Sequence, residues 1–171
     1  MAKVQGNILY KIYYGFGLVY LGRTKQPLQD RIRGHLFQKP MHRNIDINLV
    51  TKIEYAEFPT EADMYLYEIY FINKLKPPLN VDDRARDEIT VTLPNVEFKE
   101  FVIQLWEKWT EELNNRMTER ERDTNKWRAF NQEISVLRAN HKAGHIGREE
   151  FEEKKDALAS EHRELEKRLF R

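Results

Sequence analysis

The sequence predicts an α+β fold in two parts. Residues 1–90 read as a three-stranded antiparallel sheet flanked by helices in the order β-β-α-β-α, and residues 91–171 as a long helix followed by a helical hairpin. Two β-branched and aromatic runs, Asn7–Tyr14 and Leu18–Thr24, meet at Gly15-Phe16-Gly17 and have the pattern of a β-hairpin. From Val96 onward apolar residues recur at three and four positions, the period of a helix. The two regimes meet within residues 81–95.

Each element has its own signal. Pro27 suits the first turn of a helix, where its missing N–H leaves nothing unpaired, and Leu28, Ile32 and Leu36 supply an apolar stripe. Leu49–Glu57 reads as the third strand. Thr60 is an N-cap hydroxyl followed by Glu61 and Asp63, acids that favour the positive end of a helix dipole. Ala62, Leu66, Ile69 and Asn73, flanked by Tyr65 and Ile72, follow helical spacing and form the expected apolar stripe. Pro77-Pro78 ends this helix, because proline disfavours the helical conformation in the residue before it. In the tail, Phe98, Val102, Leu105, Trp109 and Leu113 make one stripe, and Trp127, Phe130, Ile134 and Leu137 another. Thr118–Asp123 between them has no apolar anchor and reads as a solvated helix or a bend. Ala143–Gly147 supplies a turn, after which Phe151, Leu158 and Leu165 repeat near heptad spacing, interleaved with Lys155, His162 and Leu169.

Composition narrows the class of protein. Nothing approaches the roughly 18 uninterrupted apolar residues of a membrane span, and Met1–Asn7 carries no apolar signal segment. The absence of cysteine excludes disulfides, thiolate ligands and a thiol nucleophile. A soluble cytoplasmic protein with no membrane partner is the expectation. The net charge of +1 hides an asymmetry: residues 1–80 hold eleven Lys/Arg against seven Asp/Glu, a balance of +4, and the remainder is acidic. A basic N-terminal part suits approach to a polyanion, since each phosphate contact releases counterions.

The chemistry-bearing residues of this part form an ordered set. Ile8-Leu9-Tyr10 precedes Tyr20-Leu21-Gly22 by ten residues; Arg31 and His35 follow, then Glu68, with Pro77 and Asn80 nine and twelve residues beyond it. In this order and spacing the chain resembles the GIY-YIG endonucleases over about its first half. Ile8-Leu9-Tyr10 stands where that family has its first signature and Tyr20-Leu21-Gly22 where it has the second. Leu9 and Leu21 replace the usual isoleucines and Ile8 the first glycine, changes that keep strand character and remove no reactive group. The resemblance implies that Tyr10, Tyr20, Arg31, His35 and Glu68 are catalytic, that Glu68 binds a divalent metal, Mg2+ or Mn2+, and that Asn80 supports the site from behind.

The residues argue in the same direction. Arg31 and His35, four apart on one helix, project from one face, and a guanidinium there can fork onto a phosphate and neutralise transition-state charge. Glu68 stands in apolar company, between Tyr67 and Ile69, where an acid is costly unless paired or metal-bound. One carboxylate, several waters and a substrate phosphate is how magnesium is usually held; a salt bridge to Arg31 or Lys11 is the competing explanation. A phenol with a pKa near 10 is about one-thousandth ionised at neutral pH, so Tyr10 or Tyr20 needs help from Arg31, His35 or the metal to activate water. Tyr13 and Tyr14 read as packing residues. Arg33, on another face of the helix, and His42 and Arg43, in a loop, are candidate contacts to nucleic acid.

His141–Lys155, with its Gly144-His145-Ile146-Gly147 turn before an acidic helix carrying Phe151, is similar to the short C-terminal oligomerisation domain of many bacterial proteins. That likeness implies a homodimer through the tail. His141 and His145 lack a third ligand and read as turn and cap residues. Taken together the expectation is a metal-dependent DNA endonuclease acting on double-stranded DNA, of the restriction or homing kind, whose tail dimerises it or grips DNA. The alternative is a non-catalytic nucleic-acid-binding or adaptor protein that uses the tail for assembly.

Overall fold

The computed structural model describes residues 3–38, 45–81, 84–142, 144 and 146–170. The fold is α+β. Strands β1 (Asn7–Tyr14) and β2 (Gly17–Thr24) form the expected hairpin, with Tyr10 opposite Gly22 and Ile12 opposite Tyr20. Its tip turns at Gly17, whose φ of 141° lies in a region side chains avoid. Helix α1 (Leu28–Ile32) starts after Pro27 and runs on into a π-helical segment, Arg33–Gln38. Strand β3 (Val50–Phe58) pairs with β1, placing Tyr10 opposite Tyr55.

The strands alternate apolar residues to two faces, each of which is covered. Ile8, Tyr10, Ile12 and Tyr14 of β1, with Val19 and Tyr20 of β2, meet Leu28, Ile32 and Leu36. All three of the latter are fully buried, each burial contributing on the order of 1.5–3 kcal/mol, so the stripe read from the sequence is the stripe that packs. On the other face, Leu9, Leu21, Ala56 and Phe58 meet Met64 and Ile72 of helix α2 (Glu61–Leu75). Thr60 caps α2 by accepting the Asp63 N–H at 3.0 Å, and the helix ends at Lys76 in the left-handed conformation, just before Pro77.

Three features differ from the expectation. The sheet has four strands in the order β2-β1-β3-β4, not three, because Lys99–Glu100 (β4) pairs with Glu54 and Tyr55. The stripe expected as helix from Phe98 is not helical before Trp106. Its Phe98 packs on Phe71 on the α2 face, while Phe101 stacks edge-on against Tyr55 and Ile103 is buried with the α1 face. Sheet pairing and side chains gripped on both faces outweigh the helical period there, and Val102 and Leu105 are left exposed. Thirdly, the buried side of α2 is Met64, Glu68, Tyr70, Ile72 and Asn73, while Leu66 and Ile69 stand about half exposed. The sheet surface decides which side of the helix is covered, and it selects a face rotated from the expected one. Beyond residue 90, Trp109 and Leu113 of helix α3 (Trp106–Arg116) join the α1-face cluster.

The tail is the expected helical hairpin. Helices α4 (Glu119–Lys142) and α5 (Arg148–Leu169) flank a turn containing Gly144 at φ 75°. Thr118–Asp123 resolves into a capping box: Thr118 Oγ1 accepts the Glu121 N–H at 3.2 Å, and Glu121 accepts the Thr118 N–H at 2.7 Å. The two helices are tied by His162 packed on Phe130 (ring centroids 4.1 Å), by Trp127 against Phe170, and by Arg168 to Asp123 at 3.0 Å. Among the described residues no helix is long and apolar enough to cross a membrane.

Candidate active site

On the α1 face of the sheet four of the expected residues converge. Tyr10 Oη lies 3.1 Å from His35 Nδ1 and accepts a hydrogen bond from Arg31 Nε at 3.4 Å. The Tyr20 ring is 6.1 Å from that of Tyr10 and 5.7 Å, edge-on, from the imidazole. The i, i+4 spacing of Arg31 and His35 delivers both to one spot, and the switch from α-helical to π-helical winding falls between them; such widened turns are frequent at functional sites.

Gly22 makes this convergence possible. A Cβ on it would lie 2.8 Å from Tyr10 Oη, 2.8 Å from Tyr20 Cε1 and 2.9 Å from Tyr10 Cζ. Its place in Tyr20-Leu21-Gly22 is legible as a motif position, but its contact with both phenols is a property of strand pairing, Gly22 being opposite Tyr10.

Electrostatics separate the roles of these groups. Tyr10 is fully buried, and burial first, then the neighbouring Tyr20, push its phenol well above the ordinary value; Arg31 pulls it back only in part. Tyr10 is therefore a neutral phenol at physiological pH, a hydrogen-bond exchanger rather than a standing base. His35 and Arg31 are partly exposed and form the accessible end of the cluster.

Glu68 stands apart from the phenols. It is buried on the sheet-facing side of α2 and forms an ion pair with Arg23, not with Arg31 or Lys11. The alternation of β2 explains the partner: Tyr20 and Gly22 face α1, so Leu21 and Arg23 face α2. Lys11 lies instead over the Phe98 ring at 3.6 Å. Arg23 and Gly22 are neighbours on edge strand β2, so the acid and the phenols sit on opposite faces of one strand. The Arg23 guanidinium also rests 4.1 Å over the Tyr65 ring, and Tyr65 donates to Glu61, which pairs with Lys25 at 2.9 Å. Arg23, absent from the sequence-derived set, carries only one signal there: it directly follows the Tyr20-Leu21-Gly22 motif.

Asn80 holds the outer edge of β2. Its side chain accepts the Leu21 N–H at 2.8 Å and donates to the Leu21 carbonyl at 2.7 Å, imitating a paired strand, while Leu79 N–H bonds the Val19 carbonyl at 3.1 Å. The segment leaving α2 is thus locked to the strand that bears Tyr20, Gly22 and Arg23. Arg33 reaches toward the ring of Trp109, at 5.3 Å, on α3. Tyr14 accepts the Asp46 N–H at 2.7 Å and Tyr13 donates to Glu54 at 2.7 Å, both structural contacts. His141, expected in the turn, lies in the last turn of α4 and stacks on Phe151. His42, Arg43 and His145 lie outside the described residues.

The donor set around Glu68 can be tested against a metal. The ion pair engages Oε2, and a carboxylate with two oxygens can accept a cation as well. Among the described residues no group of three or more His, Asp or Glu side chains forms a cage. A single carboxylate fits the way magnesium is held, since that ion binds through one or two carboxylates and retains waters. Compared with family models, curated proteins and solved structures, the chain matches none.

Proposed function

We propose that this chain is a divalent-metal-dependent DNA endonuclease that hydrolyses phosphodiester bonds in the manner of the GIY-YIG enzymes. The observation that supports it best is the convergence of Tyr10, His35 and Arg31 around Tyr10 Oη, which packs against the bare backbone of Gly22. A neutral phenol, an imidazole and a guanidinium at hydrogen-bond range can position water, accept its proton and hold a phosphate.

The donors assign the roles. Arg31 donates to Tyr10 Oη, which also lies at hydrogen-bond distance from His35 Nδ1, and burial keeps Tyr10 protonated. In the tautomer that carries its proton on Nδ1, His35 donates to the Tyr10 oxygen and takes the proton of the attacking water on Nε2. Tyr10 thereby fixes the orientation of the imidazole ring. The remaining guanidinium N–H groups of Arg31 neutralise charge on the phosphate as it builds. Glu68 would hold Mg2+ or Mn2+, which supplies charge to the phosphate and the departing oxygen. Asn80 preserves the geometry by fixing Leu21. A homodimer through the α4–α5 hairpin would present two such sites to the two strands of a duplex.

Incubation of the purified protein with plasmid and short duplexes, with Mg2+ or with EDTA, tests this reading. Nicking or cleavage that needs the metal is expected, and Glu68→Ala should abolish it; equal cutting by Glu68→Ala and the native protein refutes it. One observation favours a second reading: Glu68 is already neutralised by Arg23. On that reading the chain is a non-catalytic nucleic-acid-binding or adaptor protein, and Arg31→Ala and Glu68→Ala leave its biological activity intact.

A further inference from the structure

We infer that Arg23 is an exchangeable guanidinium: it neutralises Glu68 while no divalent cation is bound, and it is handed to a substrate phosphate when Glu68 takes one. This rests on the metal-binding role proposed for Glu68. Three observations support it. Glu68 is buried, so its charge needs a partner at all times, and Arg23 is the partner at hand. The Arg23 side chain is 42% exposed, so its head can leave without opening the core. Tyr65, itself partly exposed, offers its ring at 4.1 Å, a face on which the planar guanidinium can slide while its stem stays packed.

Charge favours the exchange. A divalent ion on the Glu68 carboxylate and a guanidinium on the same group repel one another, and one carboxylate cannot neutralise three positive charges. A DNA phosphate arriving at the same edge of β2 carries the missing negative charge, and a guanidinium binds it through two parallel hydrogen bonds. Arg23 would then contact the phosphate backbone from the α2 face of β2, and Arg31 from the α1 face. Metal loading and substrate grip would be coupled through one side chain.

The exchange has a readout that needs no cleavage. Mn2+ binding, followed by the electron paramagnetic resonance signal of the free ion, compares the native protein with Arg23→Gln, Arg23→Lys and Glu68→Gln. Arg23→Gln removes the competing cation and should bind Mn2+ about fivefold more tightly, the scale of a half-exposed ion pair. Arg23→Lys should stay near the native affinity, and Glu68→Gln should lose binding. A second measurement uses EDTA and a short duplex. Glu68→Gln frees Arg23, so the dependence of log affinity on log salt should steepen by about 0.9, one phosphate contact, and the double variant with Arg23→Gln should lose that gain.

Equal Mn2+ affinity in native protein and Arg23→Gln, both requiring Glu68, overturns the exchange. Absence of Mn2+ binding in both refutes instead the metal role of Glu68. In that case a native salt slope in Glu68→Gln overturns the exchange as well.

Discussion

Replacing Gly22 by alanine tests the site at its tightest point. The backbone there has no positive φ, so an alanine meets no conformational penalty and the effect is purely steric. The added methyl would sit 2.8–2.9 Å from atoms of Tyr10 and Tyr20. Contacts below 3.0 Å cannot persist, and neither ring has room: Tyr10 is wholly buried and Tyr20 is 4% exposed. Overpacking of this kind costs about 1–3 kcal/mol. For a chain of this size each kcal/mol lowers the Tm by roughly 2–4 °C, so a drop on the order of 2–12 °C is expected. The chemistry should suffer more, because Tyr10 Oη must move out of reach of His35 Nδ1 and Arg31 Nε. Differential scanning calorimetry gives the first number, and the imidazole resonances of His35 report the second. Gly15→Ala, where a Cβ meets nothing within 4 Å, is the control. A Gly22→Ala protein with native Tm and unshifted His35 resonances would falsify the packing described for the two phenols.

Other perturbations probe the remaining parts. Asn80→Ala leaves the buried Leu21 N–H and carbonyl without partners, at about 1–3 kcal/mol for each group; urea unfolding should show a loss of roughly 2–6 kcal/mol, and a loss under 1 kcal/mol would contradict the clamp. At high pH the tyrosines give a signed expectation. Tyr10, Tyr13 and Tyr14 are all raised above the ordinary phenol value, burial being the largest cause in each. The folded state therefore keeps protons that the unfolded chain releases near pH 10, so stability is undiminished below that point and falls as pH rises beyond it. Absorbance of phenolate near 295 nm should show several tyrosines that ionise only with unfolding, and a full count titrating in the folded protein at pH 10–11 would contradict this. Leu137→Ala, at a buried position of α4 in the hairpin, should cost about 2–5 kcal/mol. If the tail assembles the protein, Leu158→Glu should shift a dimer to monomer in analytical ultracentrifugation, and an unchanged sedimentation coefficient argues against assembly through that face.

Much of the framework follows from local rules. Alternating apolar residues around Gly15-Phe16-Gly17 specify a hairpin, Pro27 and the Leu28, Ile32, Leu36 spacing specify the helix that covers it, and Thr60 and Pro77 bracket α2. These signals act over a few residues and need no partner to be read. The cluster of Tyr10, Tyr20, Arg31 and His35 was legible for the same reason: a hairpin brings two phenols side by side, and i, i+4 spacing places a cation and an imidazole together on the helix packed against them. Residues 96–105 show the opposite case, because their helical period competes with sheet pairing that only the folded β3 edge can offer.

Sequence alone therefore determined the α+β class, the hairpin, the capped start of α2 and the set of side chains that meets around Tyr10. Tertiary structure decided who neutralises whom. Which side of α2 is buried, and hence that Glu68 meets Arg23 across β2 while Lys11 turns to Phe98, depends on the shape of the sheet surface. That Tyr10 stays protonated depends likewise on how completely the surrounding chain removes it from water. Charge pairing and desolvation are set by distances between segments far apart in the chain, and no local pattern encodes them.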